Sequence, residues 1–141
     1  MKKIIFSFIF IFGLLIFPQI DVIACSCSLP IPKRTLNEQV KIERKSSDAI
    51  FIGEVLEVKD NKFSFIVKIK VESNWKGDKD AEVTIFTGKG GGDCGYPFQV
   101  GESYLIYASK LDNGNLTTNI CRRTKLLSES QDDIKILNKK K

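Results

Sequence analysis

The apolar residues change rhythm along this chain, and each rhythm predicts a different element. From Ile4 to Phe17 they are almost continuous. Beyond Cys27, Leu29-Pro30-Ile31-Pro32 is an extended stretch, since neither proline fits a helix interior. Thr35-x-x-Glu38 has the form of a capping box and predicts a short helix to about Lys45, with Leu36 and Val40 on its buried side and Ser46-Ser47-Asp48 ending it. Strands follow. Ala49 to Val58 is rich in Ile and Val, and Phe63, Phe65, Val67, Ile69 and Val71 are all apolar while Ser64, Lys68, Lys70 and Glu72 face the other way. Lys59-Asp60-Asn61-Lys62 is the expected turn between them, and Trp75 continues the buried parity of the second strand. Val83 to Thr87, Tyr104 to Ala108 and Leu116 to Ile120 complete five strands, the last preceded by the turn Asp112-Asn113-Gly114-Asn115. Ser130-x-x-Asp133 opens a C-terminal helix with Ile134 and Leu137 on one side. A mainly β fold with five strands and a helix at each end predicts a small OB-type barrel, because closure hides strand edges.

The first apolar run reads as export machinery. Lys2 and Lys3 precede it, Pro18, Gln19 and Asp21 end it, and Val22-Ile23-Ala24 offers a small-residue cleavage site. At 14 residues it is shorter than the roughly 17–25 that span a bilayer. The expected division is therefore a signal peptide over 1–24 and one domain over 25–141, secreted or extracytoplasmic, monomeric and without a transmembrane segment after processing. The formal charge of +5 is mild, and three of its cations are the terminal Lys139 to Lys141, so nucleic acid is not an expected partner. The chain has no histidine. That removes Ser-His and Cys-His nucleophile pairs and the commonest zinc ligand, and no carboxylate pair stands out, so no enzyme activity and no cofactor is expected.

The four cysteines, Cys25, Cys27, Cys94 and Cys121, all lie after the cleavage site. An even count in a small exported domain predicts two disulfides. A Cys25–Cys27 ring would be strained, which leaves two pairings that tie the N-terminal segment to positions 94 and 121. Loops of that length carry about 4–5 kcal/mol of chain entropy each in the simple model. A zinc site of four thiolates is disfavoured by the lack of a Cys-x-x-Cys knuckle, so no intrinsic metal is expected. Gly88-Lys89-Gly90-Gly91-Gly92 lacks the Gly-Lys-Ser/Thr helix start of a phosphate loop and reads as a mobile loop carrying Cys94. Tyr96 and Phe98 flank Pro97, where one ring could be exposed for contact.

Cys25-Ser26-Cys27 at the processed terminus, followed by a short helix and Phe51-x-Gly53-x-Val55, resembles the netrin-like modules. These include the N-terminal domain of the tissue inhibitors of metalloproteinases. Trp75-Lys76-Gly77, Cys94-Gly95-Tyr96, Gly101-x-x-Tyr104-Leu105 and Cys121-x-Arg123-Thr124 extend the similarity over essentially the whole mature chain. The resemblance implies an OB barrel with Cys25 bridged to Cys94 and Cys27 to Cys121. It also implies a function: the Cys25 amine and carbonyl oxygen chelate the catalytic zinc of a metalloprotease. Ser26 would point into the specificity pocket, and Cys27 with Asp93, Cys94, Gly95 and Tyr96 would complete the contact ridge. This chain lacks the third bridge, the second domain and the long extension between the first two strands found among the animal inhibitors.

Two alternatives follow from the same residues. Val22-Ile23-Ala24-Cys25 fits a loose bacterial lipobox, which would place a lipid on Cys25 and the protein at the cell surface. That would remove both the first bridge and the chelating amine; against it, Pro18 to Asp21 separate the apolar run from the box. The other alternative is a non-inhibitory binding module that recruits a protein or ligand through a sheet face or the glycine loop.

Overall fold

The computed structural model describes residues 25–27 and 34–139; the expected signal peptide, the Leu29–Pro32 stretch and the last two lysines lie outside them. Helix α1 (Leu36–Ser46) starts as the sequence predicts. The Thr35 hydroxyl accepts the Glu38 amide at 3.3 Å, and the Glu38 carboxylate accepts the Thr35 amide at 2.8 Å. Those returning bonds, and nearby Lys41 and Arg34, hold the Glu38 carboxyl below its usual range. Val40 is buried, but Leu36 remains exposed, as do Asn37 and Glu38 beside it in the first turn.

Six strands, one more than the sequence predicts, form one sheet: β1 (Ala49–Asn61), β2 (Ser64–Lys76), β3 (Glu82–Thr87), β4 (Ser103–Lys110), β5 (Leu116–Thr117) and β6 (Lys125–Leu126). β1 and β2 run on to Asn61 and Ser64, so the turn is Lys62-Phe63, displaced from the predicted Lys59–Lys62. Phe63 consequently sits at the tip, 79% exposed, and does not join the apolar face. The strand order is β1-β2-β3-β5-β4-β6, and β1 also pairs with β4, so the pairings return to their starting strand. Among the described residues only the β3–β5 pairing is parallel.

The predicted fifth strand is the largest local departure. It pairs for two residues, breaks, and resumes as β6 against the same strand, β4. In the gap, side chains satisfy the β4 backbone at Tyr107. The Thr124 hydroxyl accepts the Tyr107 amide at 3.0 Å, and the Thr118 hydroxyl donates to the Tyr107 carbonyl at 2.8 Å. With β4 satisfied in this way, the chain is free to swing out and carry Cys121 toward the N-terminal segment.

Alternation along β1 and β4 feeds two apolar cores. Phe51, Val55, Tyr104 and Ile106 join Val67, Ile69 and Ile85 on one face. Ile50, Leu105 and Tyr107 face the other way and are covered by Val40 of α1 and Leu137 of α2 (Gln131–Asn138). β4 is therefore buried on both sides, and the helices seal the second. Trp75 belongs to this second core, not to the face of Val67 and Ile69. The pairing Gly53↔Val71 followed by Ile52↔Ser73 leaves Glu72 as an extra residue, and that bulge inverts the parity beyond it. Among the described residues no helix is long and apolar enough to cross a membrane.

Candidate functional site

The two bridges define the site. Cys25 is bonded to Cys94 across 69 residues and Cys27 to Cys121 across 94, with Cα separations of 5.1 and 5.2 Å. The Cys94 and Cys121 sulfurs lie 3.9 Å apart, so the bridges are neighbours and grip the Cys25-Ser26-Cys27 tripeptide side by side. Cys25 and Cys27 are half-buried, whereas Ser26 between them is exposed. With all four sulfurs in disulfides, the close grouping of Cys25, Cys94 and Cys121 offers no thiolate to a metal.

Both anchor points are held from below. The Ile120 amide donates to the Cys94 carbonyl at 2.9 Å, which ties the two acceptor segments to each other. Cys94 follows a 3-10 turn over Gly91–Asp93 and adopts a left-handed φ of 58°. The Asp93 carboxylate organises that turn. It accepts the amides of Lys89 at 2.7 Å, Gly90 at 2.8 Å and Gly95 at 3.1 Å. Chiefly the Lys89 and Gly95 bonds hold its carboxyl below the usual aspartate range. Gly95 can only be glycine: a Cβ there would lie 2.0 Å from the Gly88 carbonyl oxygen. The glycine-rich run is thus a loop shaped around Asp93, whose oxygens are occupied by its own backbone.

Tyr96 is half-buried. Its amide donates to the Thr87 hydroxyl at 2.7 Å, and its ring packs 4.8 Å from Phe98 and 5.8 Å from Tyr104. Burial, with smaller effects of Tyr104 and Glu129, pushes the phenol up to about 12, so it stays neutral. Of the expected contact residues, the structure brings Cys25, Ser26, Cys27, Cys94 and Gly95 together around the bridges. Asp93 and Tyr96 adjoin them as supports, with their polar groups or rings engaged in the loop.

A second layer has no counterpart among the sequence-predicted site residues. Arg122, beside Cys121, reaches Glu43 of α1 at 2.8 Å and the Ser109 hydroxyl of β4. Arg123 reaches the buried Asp133 of α2 through bonds of 2.8 Å to each oxygen, and Lys125 adds a third contact at 3.1 Å. The Tyr107 hydroxyl donates to the same carboxylate at 3.1 Å. The sequence places Asp133 in a helix-opening motif; its actual partners are Arg123 of the loop ten residues upstream, Lys125 of β6 and Tyr107 of β4, and helical periodicity carries no trace of them. These contacts lock the Cys121 loop to both helices. No family model and no curated protein sequence matches the chain.

Proposed function

We propose that the mature chain is a netrin-like OB barrel and an exported inhibitor of zinc metalloendopeptidases that acts through its first residue. The observation that carries this reading is the double clamp: Cys25 and Cys27 are both bonded to the sheet, on adjacent bridges, with Ser26 presented outward. The circuit β1-β2-β3-β5-β4-β1 supports the barrel. The disulfides suit an oxidising, extracytoplasmic compartment.

Chemistry makes the terminus an effective zinc ligand once residues 1–24 are removed. The Cys25 amine nitrogen and carbonyl oxygen belong to one residue and close a five-membered ring on the metal, occupying the position a catalytic zinc keeps open for water. The bridges restrict the tripeptide before binding, which reduces the ordering cost. Ser26 is small and exposed, and its side chain suits entry into a specificity pocket. The half-buried Tyr96 and the internally bonded Asp93 serve as the floor beneath this ridge.

Inhibition constants against a panel of zinc metalloendopeptidases test the mechanism. One Ala added before Cys25, or acetylation of its amine, abolishes inhibition while the sheet and bridges persist. Chelation also requires the neutral amine, whose ordinary pKa is about 8, so potency rises as pH approaches that value. Equal potency of the extended protein sinks the mechanism and leaves the non-inhibitory binding module.

A further inference from the structure

Away from the bridges, four cations converge on one open cleft of about 500 Å³: Lys41, Arg44 and Lys45 of α1 and Lys76 at the end of β2. No carboxylate of the described residues lines it. None of the four forms an ion pair with a described carboxylate, and every lysine or arginine that does so lies elsewhere. Arg44 carries a further anomaly. Its Nη1 is buried and has no hydrogen-bond partner among the described residues. That nitrogen is closed to solvent where it stands, and a turn of the guanidinium toward the cleft would give it an acceptor on an anion held by the four uncompensated cations.

Helix electrostatics account for only part of this arrangement. Arg44 and Lys45 stand in the last turn of α1, where cations offset the carbonyl dipoles. The Lys76 ammonium donates to the carbonyls of Arg44 at 3.0 Å and of Ser47, capping the same end. Lys41 lies a turn earlier and contributes nothing to that cap, and the free Arg44 Nη1 has no carbonyl within hydrogen-bond reach among the described residues. We infer that the cleft is an oxyanion site, for the phosphate or sulfate group of a small ester or the free ion. The guanidinium supplies directional N–H donors, and the ammonium groups supply point charge. The site is independent of Cys25, so it stands or falls separately from zinc chelation.

The test uses the disulfide-intact mature protein, uniformly ¹⁵N-labelled, at low ionic strength. Inorganic phosphate, inorganic sulfate and glycerol phosphate are titrated in parallel, with chloride at matched ionic strength as the control. Saturable amide shifts confined to the neighbourhood of residues 41–45 and 76 are expected, unchanged by acetylation of the N-terminus. Tighter binding of glycerol phosphate than of either ion identifies an ester as the ligand, and the reverse identifies the free ion. K41Q/K45Q leaves the cap made by Lys76 intact and weakens binding roughly fivefold or more, as expected for loss of two exposed charges. Equal shifts with chloride, or no loss in the double variant, overturns the site.

Discussion

Asp133 shows how much one side chain can hold. It is 2% exposed, yet it meets Arg123, Lys125 and the Tyr107 hydroxyl at once. Burial alone would raise its carboxyl, but Arg123 and then Lys125 outweigh that and hold it below the usual carboxylate range. Burial and the adjacent Asp133 charge push the Tyr107 phenol strongly up, so it remains a donor to the carboxylate. Asp133→Asn leaves two cations facing a neutral group and costs about 2–4 kcal/mol by urea denaturation, somewhat below the figure for a fully buried pair because Arg123 and Lys125 are partly solvated. The pH dependence has a definite sign. A carboxyl depressed in the folded state contributes stability that is present above its unfolded pKa of about 3.9 and is lost as pH falls through the lower folded value. The wild type therefore shows an acid-dependent loss over that window that Asp133→Asn largely lacks.

Among the elements, the helices depend on the sheet face they cover. Leu137 of α2 is 1% exposed against Val40, Leu105 and Tyr107. Leu137→Ala costs about 2–5 kcal/mol, measured by thermal or urea unfolding, because it opens a void between helix and β4. Asn138, next along, accepts the Trp75 indole N–H at 2.9 Å, which pins the same helix to β2. The capping box of α1 and the alternation of β2 are legible in the sequence because both are local patterns with one physical cause. The face of Trp75 is not. Counting by twos from Val67 correctly makes it a packing residue but puts it on the wrong side of the sheet, since a bulge at Glu72 leaves no signature in composition. The fifth strand departs from expectation for a related reason. Leu116 to Ile120 has strand-forming residues, but Thr118 and Thr124 satisfy β4 through hydroxyls, and this cross-loop pairing is invisible in the order of neighbours. Alternation alone puts Phe63 in the buried set, and the two-residue turn outranks it.

At the scale of the whole molecule, the cysteines carry the N-terminal segment into the fold. The disulfide pairing implied by the netrin-like resemblance is the pairing observed, and the sheet's circuit places Cys94 and Cys121 beside each other although 27 residues separate them. Composition alone leaves two pairings open, because pairing depends on which loops meet in space. The same closure explains why Asp93, Gly95, Arg122 and Asp133 matter: each shapes or braces a loop that a bridge pulls on. The proposed inhibitor needs one further property, a free backbone nitrogen on Cys25. Mass spectrometry, without reduction, of the protein recovered from cells that express the full chain tests this most directly. The account predicts a polypeptide beginning at Cys25 with an unmodified α-amine, and unreduced peptides joining Cys25 to Cys94 and Cys27 to Cys121. An acyl mass on Cys25, or residues retained ahead of it, contradicts the account.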